Sequence, residues 1–330
     1  MRSDHAVRRS VASGEMASCR GTSIASGLRS PLISPACYHN PVASGLRSAC
    51  YGGLPKLSDP EPHLPQTTKA YKNLSFLNGP AARHIRILCE YEEPRERFRD
   101  QGVKDTIVVF GSARIKEPAV ARVLLAEAMA SGDPRAVERA EQALKLSRYY
   151  EDTRELSRRL TEWSMQRPEN YRRMLISTGG GPGIMEAANR GASEAPGGRS
   201  VGLGISLPFE EKVNAWVDPD LAFEFHYFFM RKYWFAYLAK AMVVMPGGYG
   251  TLDEMCEILT LRQTKRITKP LPMVLYGSEY WNDVINIENL IKWGTISEHD
   301  RELLHHSDTV DDAFTFLTTA LDSTEQEARK

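Results

Sequence analysis

The sequence predicts an α/β protein with a doubly wound, mostly parallel, Rossmann-like sheet and helices on both faces. Three observations carry that prediction. Apolar runs of strand length recur at residues 106–110 (TIVVF), 174–177 (MLIS), 201–205, 242–245 and 271–276, without the alternation of a half-exposed strand. Segments of helical periodicity separate them, which is the element order of a parallel sheet. Three of the runs feed glycine-bearing turns, at Gly111, Gly179 and Gly247. In such a sheet the ligand lies across the carboxyl ends of the strands, where all three turns fall.

Composition narrows the function classes. Lys+Arg and Asp+Glu are 42 each in 330 residues, so no global basic field recruits nucleic acid or an acidic membrane, and anion binding has to be local. No apolar run reaches the roughly 18 residues of a membrane helix. The five cysteines (Cys19, Cys37, Cys50, Cys89, Cys256) form no CxxC pair and no metal-ligand spacing. That spread fits a reducing, cytoplasmic setting without a disulfide framework, with Cys89 and Cys256 expected as buried thiols.

In chain order, residues 1–65 form a tail rich in Ser, Ala, Gly, Pro and Arg. Its segment ASGLRS occurs at 25–30 and again at 43–48. Low apolar content predicts disorder there. Residues 66–104 read as a helical N-terminal extension. Ile85, Leu88 and Cys89 share one helical face, Pro94 interrupts, and 95–103 is a short polar helix or turn. Residues 105–330 read as the Rossmann-like domain, with a helical insertion at about 118–147 broken by Gly132-Asp133-Pro134, then a main helix over 149–163. After the second strand comes a helix over 184–193. Residues 223–228 (FEFHYF) suit a short strand, and a helix over 230–241 leads into the 242–245 strand. Helices over 279–293 and 311–321 close the chain.

The chemistry gathers at two turns. Residues 242–263 (MVVMPGGYGTLDEMCEILTLRQ) read as strand, glycine turn and helix, a geometry that aims backbone N–H groups and the positive helix end at an anion. Asp253 and Glu254 fall in the first helical turn of that reading. Thr251 to Glu254 also fits a capping box, which would make Glu254 a helix cap. The second turn, Thr178 to Gly183, has no Lys-Ser/Thr after its glycines and does not match G-x-G-x-x-G with a following acidic residue. These residues therefore favour neither nucleoside triphosphate hydrolysis nor nicotinamide-linked redox.

Taken together, the two turns resemble a known family. Gly179-Gly180-Gly181-Pro182-Gly183-Ile184-Met185 resembles the GGGxxGxM loop of the LOG ("Lonely Guy") proteins. Pro246-Gly247-Gly248-Tyr249-Gly250-Thr251-Leu252-Asp253-Glu254 matches that family's PGGxGTxxE motif at every fixed position. Met230-Arg231-Lys232 matches its arginine–lysine pair. The turn at Gly111 and Ser112 resembles its first-strand loop. The resemblance covers about residues 105–263, and the wording FGSARI, LPFEE and YFFMRK looks like the longer bacterial branch.

The resemblance implies a phosphoribohydrolase that cleaves the N-glycosidic bond of a purine nucleoside 5′-monophosphate, with AMP first and cytokinin riboside monophosphates next. Glu254 and Arg231 are the implied catalytic residues. Arg231 contacts phosphate or polarises the leaving base, two roles the sequence leaves open. Gly111, Ser112, Gly179, Gly180, Gly181, Gly183, Glu186, Met230, Lys232, Gly247, Gly248, Gly250 and Thr251 are the implied substrate-binding set, with Arg114 near base or ribose. A carboxylate beside C1′ suits the oxocarbenium-like transition state of glycoside cleavage. Asp253 reads as a solvated charge complementing the helix dipole and His226 as a packed aromatic. No metal and no cofactor are expected. An older lysine decarboxylase label needs pyridoxal phosphate on a lysine, and neither Lys232 nor Lys240 sits in a pattern tied to that cofactor. Expected partners are a small nucleotide and further copies of the chain as a homodimer or larger homo-oligomer, not nucleic acid or membrane. Two other classes remain: a nucleotide or cofactor carrier on the same fold, and an interaction protein built on the tail and insertion.

Overall fold

The computed structural model describes residues 67–168, 171–206 and 213–327. The expected disordered tail, with its repeat, Cys19, Cys37 and Cys50, lies outside the described residues, as does 207–211. The described chain begins with α1 (Leu74–Asn78) and α2 (Arg83–Asp100). The strands are β1 (Asp105–Phe110), β2 (Met174–Thr178), β3 (Ser200–Ile205), β4 (Ala222–Phe225), β5 (Ala239–Val244), β6 (Met273–Tyr276) and β7 (His305–Ser307). They form one sheet in the order β4-β3-β2-β1-β5-β6-β7, and every pairing is parallel. The order reverses between β1 and β5. That switch point is where a crevice opens beyond the strand ends.

The helices between strands are α3 (Pro118–Ser131), α4 (Pro134–Leu146), α5 (Arg148–Gln166), α6 (Ile184–Glu194), α7 (Phe228–Leu238) and α8 (Tyr249–Gln263). After β6 come α9 (Ser278–Val284) and α10 (Ile287–Lys292), and α11 (Val310–Glu327) follows β7. Strand alternation divides the core into two layers. Val108 and Phe110 of β1 join Phe98 of α2, Trp234 of α7 and Ile258 of α8 on one face. Ile107 and Val109 join Leu160 of α5, Ile184 of α6 and Leu317 of α11 on the other. Both faces of the sheet are thus covered, as the continuous apolar strands require.

Several expectations need correction. Pro94 does not end a helix: α2 runs through it. A proline within a helix strips the carbonyl four residues earlier of its donor. Here that carbonyl belongs to Glu90, and the Trp234 indole Nε1 donates to it at 3.0 Å. Continuation past Pro94 also moves the buried face. Phe98 is buried in the core with the partly buried Ile87 and Tyr91 packed against it, and Pro94 is buried too, whereas Leu88 is 57% exposed. Cys89 and Cys256 are exposed rather than buried. The helix before the Gly247 turn stops at Leu238, and β5 starts at Ala239, three residues before the expected strand. Pairing of Ala239 with Thr106 of the central β1 overrides the helix-forming Ala-Lys-Ala.

Candidate active site

The three glycine turns converge at the switch point and are stitched by backbone bonds. Met245 N donates to Phe110 O at 2.8 Å, Ser112 N to Pro246 O at 3.0 Å, and Ile184 N to Ser112 O at 3.1 Å. One position shows why glycine is required. Gly183 has φ +72°, and a Cβ there would lie 2.5 Å from the Ser112 carbonyl oxygen. The α6 turn and the β1 turn cross too closely for any side chain.

A polar cluster beneath the Gly179 turn fixes its shape. Asn189 is fully buried. Its Oδ1 accepts from Thr178 Oγ1 at 2.7 Å and from Asn214 Nδ2 at 2.9 Å, and its Nδ2 donates to Ser200 Oγ at 3.0 Å. Asn214 Nδ2 also reaches the carbonyls of Gly180 and Gly181, both at 3.0 Å. Buried amides bonded this fully hold one backbone arrangement. Asn214 escaped the sequence reading because a single Asn far from any motif carries no local signal.

Above the turns lies a cleft of about 1040 Å³. Gly111, Ser112, Gly179, Gly180 and Gly181 line one part of it, and Gly247, Gly248, Gly250 and Thr251 another; Arg231 and Glu254 line it as well. Gly183, Glu186, Met230 and Lys232 do not line it. Glu186 accepts from the Tyr150 hydroxyl at 3.3 Å. Met230 is buried in the core under α7. Lys232 Nζ sits 2.7 Å from Asp253 and 2.8 Å from Glu257, which ties α7 to α8. Asp253 is exposed, as expected of a solvated charge, and is an ion-pair partner as well. His226 is exposed, with its ring edge-on to Tyr227. The sequence reading missed Tyr280, whose hydroxyl donates to Gly247 O at 2.8 Å, and the apolar Phe228, Val213 and Val284. Tyr280 and Val284 come from α9, beyond the recognisable motif.

The capping-box alternative for Glu254 fails on geometry. The helix begins at Tyr249 with Gly248 as its N-cap, and its first bond runs from Leu252 N to Gly248 O. Thr251 is already helical and Glu254 is one turn further along, not in the first turn. The amides of Tyr249, Gly250 and Thr251 precede the first intrahelical bond and face the cleft end, as an anion site needs.

Glu254 is the unusual group here. It is only 4% exposed, and its Oε1 lies 3.4 Å from Arg231 Nη2. Burial pushes its carboxyl up to about 7, with Arg231 and then Lys232 pulling the other way. Its proton affinity thus falls near neutrality, suited to taking up or giving a proton.

Comparison with known proteins adds the following. A protein-family model described as "Possible lysine decarboxylase" matches residues 185–317. That span holds Arg231, the Gly247 turn and Glu254, and leaves the Gly111 and Gly179 turns outside. A probable cytokinin riboside 5′-monophosphate phosphoribohydrolase of Oryza sativa subsp. japonica is 28% identical over 151 residues, covering 44% of this chain and 63% of that protein. A cytokinin riboside 5′-monophosphate phosphoribohydrolase of Arabidopsis thaliana is 34% identical over 67 residues, 20% of this chain and 31% of that protein. The chain spans less than two thirds of the length of the curated relatives it matches. A molybdenum cofactor binding protein from Rippkaea orientalis overlaps 52% of this chain and 86% of its own, at 18% identity and a TM-score of 0.37. These sequence matches support a general assignment to the LOG/lysine-decarboxylase-like family and do not single out a branch.

The family description raises pyridoxal phosphate, and the described residues do not fit it. That cofactor needs a lysine for its Schiff base. Among the described residues lining the cleft there is no lysine. Lys232 is held by two carboxylates, and Lys240 lies near the start of β5, 3.6 Å from Asp105 and at the opposite end of the strand from the cleft.

Proposed function

We propose, from that family-level assignment, that the protein hydrolyses the N-glycosidic bond of purine nucleoside 5′-monophosphates, AMP first, to the free base and ribose 5-phosphate. The single observation that carries the reading is Glu254: a buried carboxyl with affinity near neutrality, facing Arg231 in a cleft walled by two glycine turns. The 5′-phosphate takes the N–H groups at the start of α8 and the glycine turns beside it. Water adds to C1′ and gives a proton to the Glu254 carboxylate. The C1′–N9 electron pair leaves with the base, which takes up that proton from the Glu254 carboxyl, directly or through solvent, and so restores the carboxylate. Arg231 supplies positive charge, either to the phosphate or to the departing base.

The finer placements follow the same reading. The FGSARI and YFFMRK wording favours the longer bacterial branch. A homo-oligomer is proposed from the aromatic side of α7, where Phe229 and Tyr237 are 51% and 60% exposed, and a cytoplasmic setting from the unpaired spacing of the cysteines. Cytokinin riboside monophosphates, AMP carrying an apolar N6 group, are the second substrate class, and the apolar Phe228, Val213 and Val284 favour their accommodation. The test is incubation with AMP and detection of adenine and ribose 5-phosphate. Release by the wild type is expected. Tight AMP binding without release would assign a nucleotide carrier instead.

A further inference from the structure

We propose that Glu90, on the N-terminal helix α2, is a positioning residue: it seats the start of α7 and so sets the separation of Arg231 from Glu254. Glu90 Oε1 accepts from His226 N at 2.8 Å and Oε2 from Tyr227 N at 3.2 Å. Tyr227 is the N-cap of α7 and has no side-chain cap of its own. A carboxylate from another helix therefore braces the entry to α7, accepting from the N-cap amide and from the amide before it and complementing the positive helix end. The Glu90 carbonyl, freed by Pro94, takes the Trp234 indole. One residue thus grips α7 at its start and again near its middle.

The far end of α7 is held too. Lys269 Nζ donates to Ala236 O at 3.0 Å and Tyr237 O at 2.9 Å. Arg231 projects from the first turn of α7, next to the Glu90 end. A shift of that end moves the guanidinium along the cleft wall, while a shift at the Lys269 end acts more than a turn away. A displacement on the order of 1 Å at reacting groups costs about a hundredfold in rate.

The consequence is a signed prediction at Glu254. It is faced by Arg231 and Lys232 from α7 and by Asp253 and Glu257 on its own helix, while Arg114 and Tyr280 line the same cleft. Removing Glu90's negative charge through space would lower the Glu254 midpoint. Letting Arg231 retreat raises it. An upward shift therefore reports the mechanical link.

The experiment compares wild type, Glu90→Ala, Glu90→Gln and Lys269→Met, each with and without Glu254→Gln. The Glu254 midpoint is read in two ways: from the pH profile of kcat/KM on AMP, which rests on the hydrolase reading, and from the pH dependence of the melting-temperature difference caused by Glu254→Gln, which does not. Glu90→Ala is expected to raise the midpoint by about half a unit or more and to lower kcat about tenfold or more. Glu90→Gln keeps one acceptor and shifts less; it replaces the alanine variant should that fail to fold. Lys269→Met is expected to lose stability with no midpoint shift. A Glu90→Ala midpoint at or below the wild-type value overturns the proposal, and so does an equal rise in Lys269→Met. Should wild type release no adenine, the hydrolase reading fails and the melting-temperature midpoints still decide this one.

Discussion

Replacing Glu254 with glutamine is expected to flatten the pH dependence of folding stability. Burial lifts this carboxyl from 4.5 to about 7. Its folded affinity for the proton exceeds its unfolded affinity, so its contribution is full below about pH 4.5 and is lost as pH rises toward about 7. A shift of roughly two and a half units at ~1.4 kcal/mol per unit amounts to about 3 kcal/mol. Glutamine stands in for the protonated form at every pH and carries no such loss. The assay is thermal unfolding of both proteins at about pH 4 and about pH 8, compared as a double difference so that all other titrations cancel. Glu254→Gln should gain about 3 kcal/mol on the wild type across that range, or roughly 5–10 °C in melting temperature for a chain of this size. Parallel curves would refute the reasoning. A gain by the wild type would mean that the Arg231 contact outweighs burial and that Glu254 is an ordinary ion-pair carboxylate.

Further outcomes follow from the same geometry. Asn189→Ala leaves Thr178, Ser200 and Asn214 short of partners in a buried site, and denaturant unfolding should show a loss of about 2–4 kcal/mol. Gly183→Ala forces a positive φ on a side chain driven against Ser112 O; a loss of at least about 2 kcal/mol is expected, read by the same method. Trp234→Phe strips the Glu90 carbonyl of its donor at a cost of about 1–3 kcal/mol. Pro94→Ala should recover part of that loss, because residue 94 then donates to Glu90 O; a double-mutant cycle without coupling would contradict the replacement.

The sheet and its ligand edge were legible because strands buried on both faces write themselves as unbroken apolar runs, and because glycine turns sit directly after them. That logic places Gly111, Gly179 and Gly247 at the ligand edge, and the structure gathers them at one switch point. Other features depend on partners distant in sequence. Pro94 reads as a helix breaker until Trp234, 140 positions later by residue number, supplies the missing donor. Ala239 and Lys240 read as helix until β1 claims them as a strand. Thr251 and Glu254 read as a capping box because spacing alone does not reveal that the helix starts at Tyr249. Glu186 and Lys232 lie beside the motifs in sequence, yet helical rotation turns them to Tyr150 and to Glu257. Tyr280 and Asn214 had no signal at all, since Tyr280 acts through one bond to the Gly247 carbonyl and Asn214 through bonds to Gly180, Gly181 and Asn189, all distant in sequence.

The role proposed for Glu254 is chemistry on a bound nucleotide, not structure alone. The most direct measurement is AMP binding and adenine release by Glu254→Gln beside the wild type, at pH values above about 7, where the wild-type carboxyl is ionised. The variant is expected still to bind AMP, with its adenine release lowered by about a hundredfold or more. A variant that releases adenine as fast as the wild type would contradict that role.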